Sequence, residues 1–205
     1  MKKTSRTLGR PRQKDKKKPT QEVVLATATQ LFIKQGYKNV SMDDVASACN
    51  VTKATIYYYF PTKGDLYESA LIGMMERIRL HIERILTVEK PFKERLGQLA
   101  EVHLSATVDI DMRNFMREAT INLSDDQLGK VHAAENAMYE TIEQALQLEM
   151  EKGTIIQGNA KFYAHTFMAL LSVGYFKDGE GNGLFQNYNK AAEEITNYFW
   201  RSIEA

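Results

Sequence analysis

The 205-residue sequence predicts an all-α protein of about nine helices. Apolar residues recur three and four positions apart through most of the chain, the spacing of one helical face. β-Branched alternating runs are few, and no hairpin dipeptide separates two of them. Ser, Thr and Asn residues with capping potential, and Gly and Pro stops, punctuate the apolar segments.

The elements follow in order. Residues 1–19 have no apolar periodicity and two prolines, and read as an arm that is disordered until bound. Thr20 can cap a first helix carrying Val24, Ala28, Leu31 and Phe32, and Gly36 stops it. Ser41 caps a short second helix with Asp43 and Asp44 in its first turn, where the macrodipole favours carboxylates. Asn50 ends that helix, Thr52 caps a third, and Pro61 closes it. A longer helix runs from near Thr62 to about Leu86 with Leu66, Ala70, Met74, Ile78, Ile82 and Ile85 along one side. Pro91 suits the first turn of a helix over 91–108. Further helices are expected at 110–122, 125–152, 160–176 and 187–204.

Composition narrows the class. With 43% hydrophobic and 26% charged residues the chain is globular in character. Its longest apolar stretch, FMALLSVGYF, has ten residues, about half of the ~18–20 needed to span a bilayer. The basic N-terminus lacks an apolar signal region, so no membrane partner and a cytoplasmic location are expected. The single cysteine, Cys49, excludes an internal disulfide and a Cys-based zinc cluster. Charge is divided unevenly: the first 19 residues hold nine Lys/Arg against one Asp, and the other 186 hold 18 basic and 25 acidic residues. A basic arm ahead of an acidic body points to a polyanion, or to a solubilising tail.

Residues 41–60 have the pattern of a helix–turn–helix, and VTKATIYYYF at 51–60 holds its most informative face. Successive helical residues point about 100° apart, so four consecutive aromatics cannot all turn inward. With Ile56 and Phe60 inward and Tyr59 partly so, Tyr57, Tyr58 and Lys53 are left outward. Such tyrosines can bond phosphate or pack on sugar and thymine methyls, or can meet another protein surface.

Residues 24–66 resemble the DNA-binding domain of the TetR/AcrR family of bacterial repressors. The match runs through Val24-Leu25, Ala28, Leu31-Phe32, Gly36-Tyr37, Ser41, Val45-Ala46, Val51-Thr52, Thr55-Ile56-Tyr57, Phe60, Lys63 and Leu66 without a gap. The resemblance implies a head over 20–66, after the arm of 1–19, and an effector-binding and dimerisation domain over 67–205. It also implies that Ser41, Met42, Thr52, Lys53, Ala54, Thr55, Tyr57, Tyr58 and Lys63 meet DNA. Asn50 stands where the family has a turn glycine, and tolerates a left-handed backbone better than most residues. Gly64 stands where the family often has an acid, which is expected to loosen the start of the fourth helix. In the arm, GRPR is similar to an AT-hook, with Arg10 and Arg12 suited to a narrow minor groove or to phosphates alone.

The family resemblance further implies a homodimer joined by the last two helices. Ala169, Ser172, Gly174, Tyr188, Ala191, Ile195, Tyr198 and Phe199 are the expected interface. An effector pocket is expected among Met74, Phe92, His103, Met112, Phe115, Met116, Met138 and Tyr139, although residues of these types are more often plain core.

Other features are discounted. His81, His103, His132 and His165 are scattered, with no ligand partner at helical spacing, so no metal and no cofactor are expected. The segment 178–183 begins like a calcium loop, but position 12 is Asn189 instead of a bidentate carboxylate. No Ser/His/Asp set or carboxylate pair suggests an enzyme. The expected function is a dimeric regulator of a palindromic double-stranded operator, a repressor released by a small apolar or amphipathic effector. The alternative is an effector-independent architectural protein preferring A·T-rich sites.

Overall fold

Side-chain caps set the helix starts. Ser41, Thr52, Thr62, Ser124, Asn159 and Asn187 each accept a hydrogen bond from the backbone three residues on. These bonds satisfy amides that no helical carbonyl can reach. The computed structural model describes residues 20–106 and 112–205, and the side chains of 20–105 and 115–205. The helices are α1 (Thr20–Gln35), α2 (Met42–Cys49), α3 (Lys53–Tyr59), α4 (Lys63–Leu86), α5 (Phe92–Ala106), α6 (Met112–Asn122), α7 (Asp125–Glu151), α8 (Ala160–Leu171) and α9 (Tyr188–Ile203). No strand forms among the described residues, and no helix is long and apolar enough to cross a membrane.

The expected helix over 160–176 is divided. Its α-helical part ends at Leu171, and Ser172–Tyr175 continues as a 3₁₀ turn. Close packing there depends on Gly174, where a Cβ would lie 2.6 Å from the Leu104 side chain of α5. The Ser172 hydroxyl donates to the Ala169 carbonyl at 2.6 Å, tightening the same turn.

Two buried cores share α4. The first gathers Val24, Ala28 and Phe32 of α1, Val45 of α2, Ile56 of α3 and Leu66–Met75 of α4. It also takes Phe115 and Ala119 from α6 and Val131 from α7, so the head's core extends past residue 66. The second joins Ile82–Leu86 of α4 to α5, α7, α8 and α9 around Leu96, Leu104, Phe167 and Phe199. One charged knot lies at its edge. Glu149 is 4% exposed and receives Arg95 at 2.9 Å and Lys152 at 2.7 Å. Arg95 also donates to the carbonyls of Leu86 and Lys90, fastening the α4–α5 turn to α7.

Candidate functional site

The turn between α2 and α3 has the geometry of a tight helix–turn–helix corner. Asn50 adopts φ 54°, ψ 44° and donates its amide to the end of α2, while Val51 donates to the Ala46 carbonyl at 3.0 Å. This left-handed position replaces the glycine at little cost, because asparagine tolerates it. Thr52 then opens α3 at once, its hydroxyl accepting from the Thr55 amide at 3.2 Å.

Within α3 the aromatic run divides. Ile56 is fully buried and Phe60 nearly so, while Tyr59 is half-buried and meets Tyr58 edge-to-face. Tyr58 is 82% exposed and Tyr57 43%, and Lys53 and Ala54 share the open side. Lys53 is engaged within the head, at 2.7 Å from Asp43 of α2. Its hydrogen bond to that carboxylate holds the lysine charged to higher pH than usual.

Other expected contact residues are distributed differently. The Ser41 hydroxyl and amide are both bonded to the Asp44 carboxylate, which they hold below the usual range. Met42 is 5% exposed and belongs to the first core, because its side chain turns under α2. Lys63 leads α4, but its ammonium lies 4.1 Å above the Tyr37 ring, where burial lowers its pKa. Arg10 and Arg12 lie outside the described residues.

The head is fastened to the body by its own caps. Asp65 caps Thr62 with Oδ2, and Gln127 caps Ser124 with Oε1. The free ends of these two side chains meet, Gln127 Nε2 donating to Asp65 Oδ1 at 2.9 Å. Gly64 makes room for this contact, since a Cβ there would lie 3.3 Å from Gln127 Nε2. The expected loosening of α4 is therefore absent: the capping box closes its first turn. A second tie joins the α1 exit to α6, where the Tyr37 amide donates to Glu118 Oε2 at 2.8 Å. Buried Tyr67 adds a third, donating to the Phe115 carbonyl at 3.1 Å.

Behind these ties lies a cavity of about 600 Å³. Its walls come from α1 (Thr29, Ile33), α4 (Met74, Arg77, Ile78, His81, Ile82), α5, α7 and α8. Four expected pocket residues line it: Met74, His103, Met138 and Tyr139. Phe92 packs instead in the second core against Trp200, and Phe115 and Met116 pack in or against the first. The side chain of Met112 lies outside the described set. Burial lowers the His103 pKa, favouring its neutral form, and raises that of Tyr139. Sequence spacing did not reveal Arg77 or the α1 wall, because only the crossing of α1 over α4 brings them to the cavity.

The last two helices divide the expected interface residues in the same way. Ala191, Ile195 and Phe199 pack inward in the second core, which leaves them little surface to offer a partner. Gly174 and Tyr188 are half-buried, and Gly174 is closed in by Leu104. Ala169, Ser172 and Tyr198 are exposed, and Tyr198 shares a groove with Leu170, Val173 and Phe185.

Comparison with known proteins extends this geometry. Residues 24–70 match the family model described as bacterial regulatory proteins, tetR family. The chain is 29% identical over 161 residues to the uncharacterized HTH-type transcriptional regulator YvkB of Bacillus subtilis, covering 78% of this chain and 82% of that one. A TetR-family regulator structure from Mesorhizobium loti superposes with TM-score 0.72 at 19% identity, covering 91% of this chain and 97% of that one. The structure of AibR with isovaleryl coenzyme A and operator DNA gives TM-score 0.59 at 20% identity, over 88% and 97%. The head, residues 24–70, thus matches the tetR family of bacterial regulatory proteins in sequence, and the chain as a whole shares the helical fold of solved TetR-family structures.

Proposed function

We propose that this TetR-family regulator is a cytoplasmic homodimeric repressor, released from a palindromic operator when a small effector fills its cavity. The observation that carries the reading is the cavity's position: α1 and α4, which build the head, also form its walls. An effector there has a direct mechanical hold on the head. AibR, of the same fold, is a protein seen with both an acyl coenzyme A and operator DNA.

In this reading α3 enters the major groove and presents Thr52, Lys53, Ala54, Thr55, Tyr57 and Tyr58. Lys53 exchanges Asp43 for a phosphate, and Ser41 and Lys63 stand beside the backbone. Arg10 and Arg12 add contacts from the arm, in the minor groove or to phosphate. The domains divide at 1–19, 20–66 and 67–205, with α4 as the shared lever. Pairing through the exposed side of the last two helices, Tyr198 included, sets the separation of the heads. Effector binding favours a separation that no longer fits two successive major grooves.

The test begins with duplexes selected from a random pool by the full chain. Specific binding, a dimer by sedimentation and release by a cavity-binding compound are the expected results. Equal affinity for all A·T-rich duplexes, with no compound causing release, would favour an architectural protein instead.

A further inference from the structure

We infer that the cavity takes an amphiphile with a carboxylate or similar small anionic head, held by Arg77 at the mouth with its aliphatic tail inside; this rests on the cavity being an effector site. Arg77 and His81 stand one helical turn apart on α4, and both are exposed where they line the cavity. Deeper in, Met74, Ile78, Ile82, Leu99, Met138 and Ile142 provide apolar walls. The cavity thus has a wet cationic edge and an oily interior, the polarity of an acid with a hydrocarbon tail.

The bonding of the polar lining groups leaves Arg77 as the uncommitted charged one, which favours an anion at the α4 side of the cavity. The Thr29 hydroxyl is spent on the Leu25 carbonyl at 2.7 Å. Glu135 is the one carboxylate among the lining residues; its Oε2 lies 3.3 Å from His132 Nδ1 and its charge acts on Tyr139, on the α7 wall and not on α4 with Arg77. Arg77, by contrast, has no ion pair or hydrogen bond with any described residue. Tyr139 stacks flat on His165 at 4.3 Å, which fixes its ring while leaving its hydroxyl as a further donor. His103 is neutral by burial, so it adds a polar contact without adding charge. An uncommitted guanidinium at an apolar mouth binds a planar carboxylate with two parallel bonds, which a hydroxyl cannot match. A quaternary ammonium would face Arg77 with like charge.

The experiment compares three probes of equal tail length, decanoate, decanol and decyltrimethylammonium, by calorimetric titration of the full chain and of Arg77→Met. For the wild type, decanoate is expected to bind about tenfold or more tightly than decanol, a difference of about 1.4 kcal/mol. In Arg77→Met that ratio should collapse towards one, a readout that a general loss of stability would not produce. If decanol or the ammonium binds the wild type as tightly as decanoate, the anionic assignment is overturned while the effector cavity stands. An unchanged ratio in Arg77→Met overturns the role of Arg77. If none of the three binds, the effector reading of the cavity falls with the proposal.

Discussion

The two cores are built alike from helices, yet they are held by opposite devices. The head core is nearly as large as the body core and starts from local signals, caps at Ser41, Thr52 and Thr62 and a left-handed Asn50, before Phe115, Ala119 and Val131 of α6 and α7 close it. The body core has the longer helices and an ion cluster around buried Glu149, held by half-buried Arg95 and exposed Lys152, that joins segments far apart in sequence. The head's local bonds fix the shape of the α2–α3 corner and the outward face of α3. Three side-chain ties join the head to α6 and α7 around that same core.

The comparison can be broken first at the ion cluster. Glu149→Ala leaves half-buried Arg95 with only the Leu86 and Lys90 carbonyls, and a loss of about 1.5–3 kcal/mol is expected in chemical denaturation. The same cluster makes the body acid-sensitive. Burial raises the Glu149 pKa, but bonds from Lys152, Arg95 and Thr154 outweigh it and hold the carboxyl below its usual value. Its contribution is therefore complete above the unfolded carboxyl pKa of about 4.3 and is lost as pH falls through the lower folded value. Thermal melts across acidic pH should show that loss in the wild type and a flatter profile in Glu149→Gln.

Within the head, Asn50→Ala should cost about 1–2 kcal/mol, since alanine lacks tolerance for φ 54°. Asn50→Gly should restore the stability, as measured by the same melts. At the junction, Gln127→Ala removes the cap-to-cap bond and should cost about 0.5–1.5 kcal/mol. Its sharper readout is hydrogen exchange at the starts of α4 and α7, which should speed up together. The smallest effect is expected at Thr196, whose buried hydroxyl has no hydrogen-bond partner among the described residues. Thr196→Val should be neutral or stabilising by up to about 1 kcal/mol.

Legibility followed the same division between local and distant determinants. Caps and stops are written in adjacent residues, so the helices of the head and most of the body were readable from sequence. The split of the α3 aromatics followed from helical geometry, and Ile56 and Tyr58 lie where that geometry puts them. Apolar spacing shows that a residue is inward but not which core or cavity it meets. Phe92, Phe115 and Met116 fill cores for this reason, while Met138 and Tyr139 reach the cavity. The same limit applies to Ala191 and Phe199, whose stripe on α9 faces α5 inside the protomer. Both halves of the cap bridge are visible as Thr62-x-x-Asp65 and Ser124-x-x-Gln127, but their meeting is a tertiary fact.

In the proposed function the outward face of α3 reads DNA. That role is tested most directly by the affinity of Tyr58→Ala, against the wild type, for the selected duplex and for a scrambled one. Tyr58 is 82% exposed, so its loss should leave the melting temperature unchanged. Specific affinity at least about tenfold weaker is expected, with nonspecific affinity little altered. Full retention of specific affinity would remove Tyr58 from the interface and contradict this placement of α3.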